Sequence, residues 1–305
     1  MLEFTSMHLE VKHLKLVQAI QQERSITNAG TRLHLTQSAV SHQLKEIEDR
    51  LGTPLFVRTR RDVQLTRAGE RLLNSAAVVL HELQRAEEDI AEIAGTPRGT
   101  VRISTQCYTA YHWLPSLVKR FGAKYPHIAV EINVDATYRA VDAVLEGGLD
   151  LALTNEKSEH DRLRYRAVFD DELVAVVPDS HPLAAREFLR AKDFAEESLL
   201  VPSVLTNSYF YHHFLQPASV MPKKWVSVPL TEAIIAMVTE DMGISVVARW
   251  IVQPYLKSHG LRAIRISKKG LYREWWSVML NRGTTPKYLD DFVTLMSSHV
   301  PANLA

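Results

Sequence analysis

A single cysteine, Cys107, is all the thiol chemistry that the 305 residues hold. It cannot close an internal disulfide or build a cysteine-based zinc site, so a reducing cytosol is the expected compartment. Long apolar runs are scarce as well. The longest is the six residues Ala233–Val238, far short of the roughly 18–20 that span a bilayer. The first residues include Glu3, His8 and Glu10 and form no apolar stretch of the kind a secretory signal needs. Together these readings predict a soluble, cytoplasmic protein with no membrane partner.

An excess of charge is also missing. Lys and Arg number 36 against 35 Asp and Glu, a net charge of +1. That balance argues against coating DNA or anionic lipid by bulk electrostatics and leaves local patches open. Enzyme signatures are lacking too: there is no Gly-x-Ser-x-Gly elbow, no phosphate-cradling glycine loop and no His-Glu-x-x-His. His212 and His213 are adjacent, yet no third ligand stands at a useful spacing. No metal, cofactor or catalytic residue is therefore expected.

What remains is the composition of a folded globular chain, 46% hydrophobic and 23% charged, long enough for two or three domains. Its periodicity changes near residue 95. Before that point apolar residues recur at spacings of three and four, and Pro54 is the only proline among the first 96 residues. Beyond it, short β-branched runs alternate with helical stretches, the pattern of an α/β sheet with crossover helices. Gly95, Thr96, Pro97, Arg98 and Gly99 lie between the two regimes as a turn-rich hinge.

In the first regime, Ser25 caps a helix whose buried stripe is Ile26, Ala29, Gly30 and Leu33, and His34-Leu35 make a tight connection. Thr36 caps a second helix with Val40, Leu44, Ile47 and Leu51 on one face. Its other face shows Gln37, Ser38, Ser41, His42 and Lys45, small and hydrogen-bonding enough to enter a major groove. This is a helix-turn-helix pattern. The stretch Phe56–Thr66 alternates around a basic tip, which predicts a two-stranded wing carrying Arg58, Arg60 and Arg61 to phosphates or a minor groove. Between residues 24 and 71, nine basic residues face five acidic ones, a local +4.

A long helix follows from Thr66 or Arg67. Leu72, Ala76, Val79, Leu83, Ala86, Ile90 and Ile93 form a heptad seam along it, which predicts a dimerisation helix. In the second regime, strands are expected at Val101–Thr105, Ile128–Asp135, Leu149–Thr154, Leu173–Pro178, Trp225–Val228, Ile244–Ala248 and Trp276–Leu280. Helices are expected near 112–124, 138–147, 206–215, 230–241, 249–257 and 286–298. Polar residues recur at strand ends, where open α/β sheets bind ligands: Thr105, Gln106 and Thr109; Thr154 and Asn155; Ser203, Thr206 and Asn207; and Thr231. Their recurrence predicts a small-molecule cleft.

The segments Ser25–Leu33 and Thr36–Leu44, with Glu48, Leu51-Gly52, Leu55–Arg58 and Leu65–Gly69, resemble the LysR-type transcriptional regulators. Gly147, Leu149–Ala152 and His181–Ala184 extend the likeness over nearly the whole chain. The resemblance implies an all-α winged helix-turn-helix domain over 1–66, a linker helix over 67–94, the hinge 95–99, and an α/β effector domain over 100–305. That last domain would comprise two Rossmann-like subdomains of periplasmic-binding-protein type, about 100–167 with 269–305 and about 168–268. It also implies homotetramers on interrupted palindromes of double-stranded DNA, with RNA polymerase as a further partner.

The DNA-contacting residues so implied are Ser25, Thr36, Gln37, Ser38, Ser41, His42, Gln43, Lys45, Arg58, Arg60 and Arg61. Within the family, Gln106-Cys107-Tyr108, His112-Trp113-Leu114, His213–Ala218 and Met7–Lys15 are similar to the activators of methionine biosynthesis. This likeness implies homocysteine as effector, with Thr105, Gln106, Cys107, Tyr108, Thr109, Thr154, Asn155, Ser203, Thr206 and Thr231 as effector residues. A different small-molecule effector, or redox sensing at Cys107, is the alternative. The chain departs from the family pattern at Gly30, where a second alanine is usual, at His42, where an arginine is common, and in six residues ahead of Met7, a second candidate start.

Overall fold

The computed structural model describes residues 9–58, 63–96, 98–106, 110–111, 113–281 and 285–298. The chain opens with α1 (Val11–Glu23), α2 (Ile26–Leu33), α3 (Gln37–Leu51), β1 (Phe56–Arg58), β2 (Val63–Leu65) and α4 (Arg67–Ile93). It continues through β3 (Gly99–Thr105), α5 (Leu114–Lys124), β4 (Ile128–Ile132), α6 (Ala140–Leu145), β5 (Leu151–Thr154), β6 (Leu163–Pro178), β7 (Phe188–Leu189) and β8 (Ser198–Val201). The last elements are β9 (Lys224–Ser227), α7 (Thr231–Thr239), β10 (Ile244–Ala248), α8 (Arg249–Val252), β11 (Leu261–Ile266), β12 (Leu271–Leu280) and α9 (Lys287–Ser298). They form two compact units. The first holds residues 1–103, 126–132 and 141–151, and the second holds 104–125, 133–140 and 152–305.

The first unit has its core where α1, α2, α3 and the start of α4 meet: Leu16, Val17, Ile20, Ala29, Val40, Ile47, Leu55 and Ala76 are buried together. β1 and β2 pair antiparallel as the expected wing, with Phe56 opposite Leu65. Glu48 fixes the entry to β1 by accepting the Leu55 amide at 2.7 Å and the Phe56 amide at 3.3 Å. Thr66 then starts α4: its hydroxyl donates to the Pro54 carbonyl at 2.7 Å and accepts the Gly69 amide at 3.1 Å. Two glycines are required by close approach. A Cβ on Gly30 would sit 2.7 Å from the Leu35 carbonyl oxygen, and one on Gly69 only 2.1 Å from that of Leu55.

The heptad seam of α4 has two destinations. Leu72 and Ala76 turn into the helical core, whereas Val79 and Leu83 are 42% exposed, Ile90 67% and Ile93 86%. On the opposite side of the helix His81, Arg85 and Glu88 are buried. Arg85 donates to Asp150 at 3.0 Å, the His81 ring nitrogen lies 3.3 Å from the same carboxylate, and the Arg102 amide donates to it at 2.8 Å. Burial alone would push Asp150 up, but His81, the Arg102 amide and Arg85 outweigh it and hold the carboxyl below its usual range. Glu88 accepts the Thr100 amide and Gln84. Burial first, and the charge of Asp150 second, push Glu88 up.

In the second unit the strand order is β5-β12-β6-β10-β8-β9, with β11 on β6 and β7 on β11. The sixteen-residue β6 organises it. Its first part pairs with β12 and its last residues pair with β10 and β11. Leu173, Ala175 and Val177 join one core with Phe194, Phe210 and Leu215, while Val174 and Val176 join another with Ile234, Ile235 and Val238. Burial on both faces explains the unbroken apolar run.

Several boundaries differ from the sequence reading. The strand expected over Ile128–Asp135 stops at Ile132, because the Asn133 side chain accepts the Ala136 amide at 3.2 Å and turns the chain. The helix expected near 138–147 is a 3-10 turn, Thr137–Arg139, leading into the short α6. The one expected near 206–215 is a 3-10 turn at Leu205–Asn207 and a π-turn at Tyr211–Leu215. α8 ends at Val252, since Pro254 has no amide hydrogen to continue it. β6 begins ten residues early and β12 five, their charged segments being paired: Arg273 with Asp171 and Arg265 with Glu172 across the sheet, and Arg249 of α8 with Glu172. β7, β8 and β11 were not anticipated.

Gly69→Ala should cost about 1–3 kcal/mol by overpacking, read from the denaturant midpoint. Asp150→Asn should cost about 3–5 kcal/mol, because it strands a buried guanidinium. The stabilisation from Asp150 is present above the ordinary carboxylate range and disappears as pH falls through its lowered value; that from Glu88 is present below the ordinary range and disappears as pH rises through its raised value. Glu88→Gln should therefore raise the melting temperature at neutral pH and leave it unchanged in acid. Equal melting temperatures at neutral pH would refute the burden assigned to Glu88.

Candidate DNA-reading face and ligand cavity

The helix-turn-helix is closed by caps. The Ser25 hydroxyl accepts the Asn28 amide at 3.3 Å and that of Thr36 accepts the Ala39 amide at 3.2 Å. Between them His34 takes a left-handed conformation, φ 57°, that allows the short turn. At about 100° per residue, Gln37, Ser38, Ser41, His42 and Lys45 fall within an arc of about 140° on α3. All but the half-buried Ser41 are exposed. Gln37 donates to Ser41 at 3.3 Å, and Ser38 shares a hydrogen bond with Thr36 at 3.0 Å, so the face presents donors and acceptors held in two local pairs. Gln43 stands off this arc and is half-buried. Arg60, Arg61 and the Arg58 side chain lie outside the described residues. Arg32 pairs with Glu23 at 3.0 Å, and Arg50 pairs with Glu46 and lies 3.7 Å from Glu10. These two charges are spent on the scaffold.

The second unit contains a cavity of about 400 Å³. Its polar lining comes from loops that follow strands: Gln106 after β3, Asn155 and Glu156 after β5, Ser203 after β8, and Thr231 at the start of α7. Leu173, Val246, Val247, Ala248 and Ile251 supply an apolar wall. Ligand-binding positions at strand ends are a general property of open α/β sheets.

Four of the expected effector residues, Gln106, Asn155, Ser203 and Thr231, line this cavity. Thr154 is fully buried behind it, hydrogen-bonded to the Gln106 side chain and accepting the Glu156 amide at 3.1 Å. It positions two lining residues. Thr105 is 1% exposed and Thr206 sits half-buried on its 3-10 turn; neither lines the cavity, though Asn207 does. Cys107, Tyr108 and Thr109 lie outside the described residues. Among the described residues no group of three or more His, Cys, Asp and Glu could hold a metal ion, and no helix is long and apolar enough to cross a membrane.

Sequence reading missed Thr137, Tyr138, Glu156, Ser208, Tyr209, Arg273 and Trp275 in the lining. Arg273 and Trp275 lie two apart on β12, hence on one face. The signal was the alternation upstream of Trp276, hidden by its charges. Arg273 grips Asp171 with two hydrogen bonds, 2.6 and 2.8 Å. Tyr209 donates to the Tyr272 carbonyl at 3.0 Å. Burial, together with the charges of Glu274 and Asp171 and against that of Arg273, pushes its phenol up and keeps it a donor.

Comparison with known proteins agrees with both units. Residues 11–70 match the bacterial regulatory helix-turn-helix protein family of lysR type, and residues 94–301 match the LysR substrate binding domain. The chain is 32% identical over 293 residues to the HTH-type transcriptional regulators MetR of Salmonella typhimurium and Escherichia coli, covering 95% of this chain and 90% of each of those. Its structure is similar to the regulatory domain of MetR, a LysR family regulator from N. meningitidis, with a TM-score of 0.61, 26% identity, and coverage of 66% of this chain and 94% of that one. Full-length OxyR from Pseudomonas aeruginosa shares the fold over 95% of both chains, at a TM-score of 0.71 and 20% identity. These relatives are regulators rather than enzymes. With both the reading helix and the substrate-binding fold in one chain, the protein belongs to the LysR family of bacterial transcriptional regulators.

Proposed function

We propose that this regulator takes homocysteine in the cavity of its second unit and controls methionine-biosynthesis genes through an interrupted palindrome read by paired copies of α3. The observation that carries the reading is the cavity itself. It has room for an amino acid, an apolar wall for a thioalkyl chain, and the hydroxyl and amide groups of Ser203, Thr231, Asn155 and Gln106 for the polar end. The 32% identity to the MetR regulators supports the choice of amino acid.

Pairing of the readers is assigned to the exposed stripe Val79, Leu83, Ile90 and Ile93 on α4, which a second copy would cover. Two such dimers make the proposed tetramer. Cavity residues come from both proposed halves of the effector domain, Gln106, Asn155 and Trp275 from one and Ser203 and Thr231 from the other. Occupancy therefore favours one arrangement of the halves and respaces the readers without releasing DNA. RNA polymerase contact follows from the new spacing and gives activation.

Titration of the purified protein with homocysteine and related amino acids should give saturable binding and, in footprinting, an altered protection pattern. Unchanged protection at saturating homocysteine, with tight binding of another ligand, overturns the effector assignment. On the DNA side, Ser41→Ala and His42→Ala should change base preference by about 1–3 kcal/mol at the contacted positions. Arg60→Ala should weaken all sites alike and reduce the salt slope by about one. Operator binding that survives all three substitutions rules out this face as the reader.

A further inference from the structure

Glu156 and Arg273 are the two charged residues in the described lining of the cavity, and they stand in different positions. Arg273 is committed to the sheet: it forks onto the buried carboxylate of Asp171 with hydrogen bonds of 2.6 and 2.8 Å. Glu156 is exposed, and its carboxylate meets no cation among the described residues. The neighbouring Lys157 lies over the Trp276 ring, its Nζ 3.1 Å from the centroid, rather than on this carboxylate. The main chain of Glu156 is occupied too. Its amide donates to the Thr154 hydroxyl at 3.1 Å, and its carbonyl oxygen lies 3.1 Å from the same hydroxyl. Thr154 is fully buried behind the cavity, so these two polar atoms face the wall, and the carboxylate is the polar group that Glu156 adds to the lining.

With Arg273 neutralised by Asp171, the lining is left with one uncompensated negative charge. Such a charge repels a simple acid and favours a ligand that brings a cation able to donate to it. The two ends of an amino acid would then be read by different chemistry. Neutral groups, the hydroxyls of Ser203 and Thr231 and the side-chain amide of Gln106, are there for the carboxylate; charge is there for the amine. We infer that Glu156 is the specificity-determining residue that takes the ligand's ammonium group, so that the cavity selects amino acids over the corresponding acids without an amine. This inference rests on the amino-acid effector reading and adds the residue that reads the amine.

The test compares the full-length protein with Glu156→Gln, which keeps the size of the side chain and removes its charge. Calorimetric titrations use homocysteine, its amine-free analogue 4-mercaptobutanoate, and a panel of other amino acids. In wild type, which needs no substitution to be informative, 4-mercaptobutanoate should bind about tenfold or more weakly than homocysteine. Glu156→Gln should lose about tenfold or more in affinity for homocysteine and none for 4-mercaptobutanoate, which narrows the gap between the two ligands. An amine-free analogue that binds wild type as tightly as homocysteine, or a variant that weakens both ligands equally or neither, overturns the inference and leaves the homocysteine reading standing. A different amino acid that binds tightly where homocysteine does not, with the same dependence on Glu156, overturns homocysteine and supports the contact. Failure of every amino acid to bind overturns both.

Discussion

One carboxylate organises the first unit beyond its helical core. Asp150 collects the Arg85 guanidinium, the His81 ring and the Arg102 amide, and each would be an expensive buried orphan without it. Its effect reaches along α4. Positions 81, 85 and 88 lie on one side of the helix, and positions 79, 83, 86, 90 and 93 about 180° away. Fixing the polar side inward therefore fixes the apolar side outward. The stripe proposed to pair two copies is aimed by an ion pair that it does not touch.

The second unit depends on charge in a similar way. β6 can run for sixteen residues because its acidic stretch is neutralised by neighbouring elements, Asp171 by Arg273 of β12 and Glu172 by Arg249 of α8 and Arg265 of β11. One member of these pairs, Arg273, also lines the cavity. Arg273 thus both neutralises a buried carboxylate within the sheet and contributes to the cavity wall.

How far the sequence could be read follows from this division. The helix-turn-helix was legible because its caps, its left-handed turn residue and its buried stripe are all local. Gly30 posed a choice between close packing and a loose helix, and the nearby Leu35 carbonyl decides for packing. The strands β6, β11 and β12 were truncated or missed because charged residues interrupt their alternation, and only pairing partners distant in sequence make those residues tolerable inside a sheet. Arg273 and Trp275 were lost from the site for that reason. Thr105 and Thr154 were read at strand ends, correctly in topology, but the end of a strand does not reveal whether a side chain turns to the cavity or to the core. The heptad of α4 likewise carried no mark of where its first turns stop serving their own domain.

The position of Asp150 also sets where this protein can be cut and rejoined. The turn-rich stretch 95–99, read from the sequence as a hinge, would be the obvious seam for exchanging DNA-binding modules between family members. A hybrid joined there would draw Arg85 and His81 from one parent and Asp150 from the other. Unless the second parent supplies a matching carboxylate, the hybrid inherits a buried cation without its counter-ion. A junction placed ahead of His81 keeps the three together, so the exchangeable unit ends inside the long helix rather than at the loop that follows it.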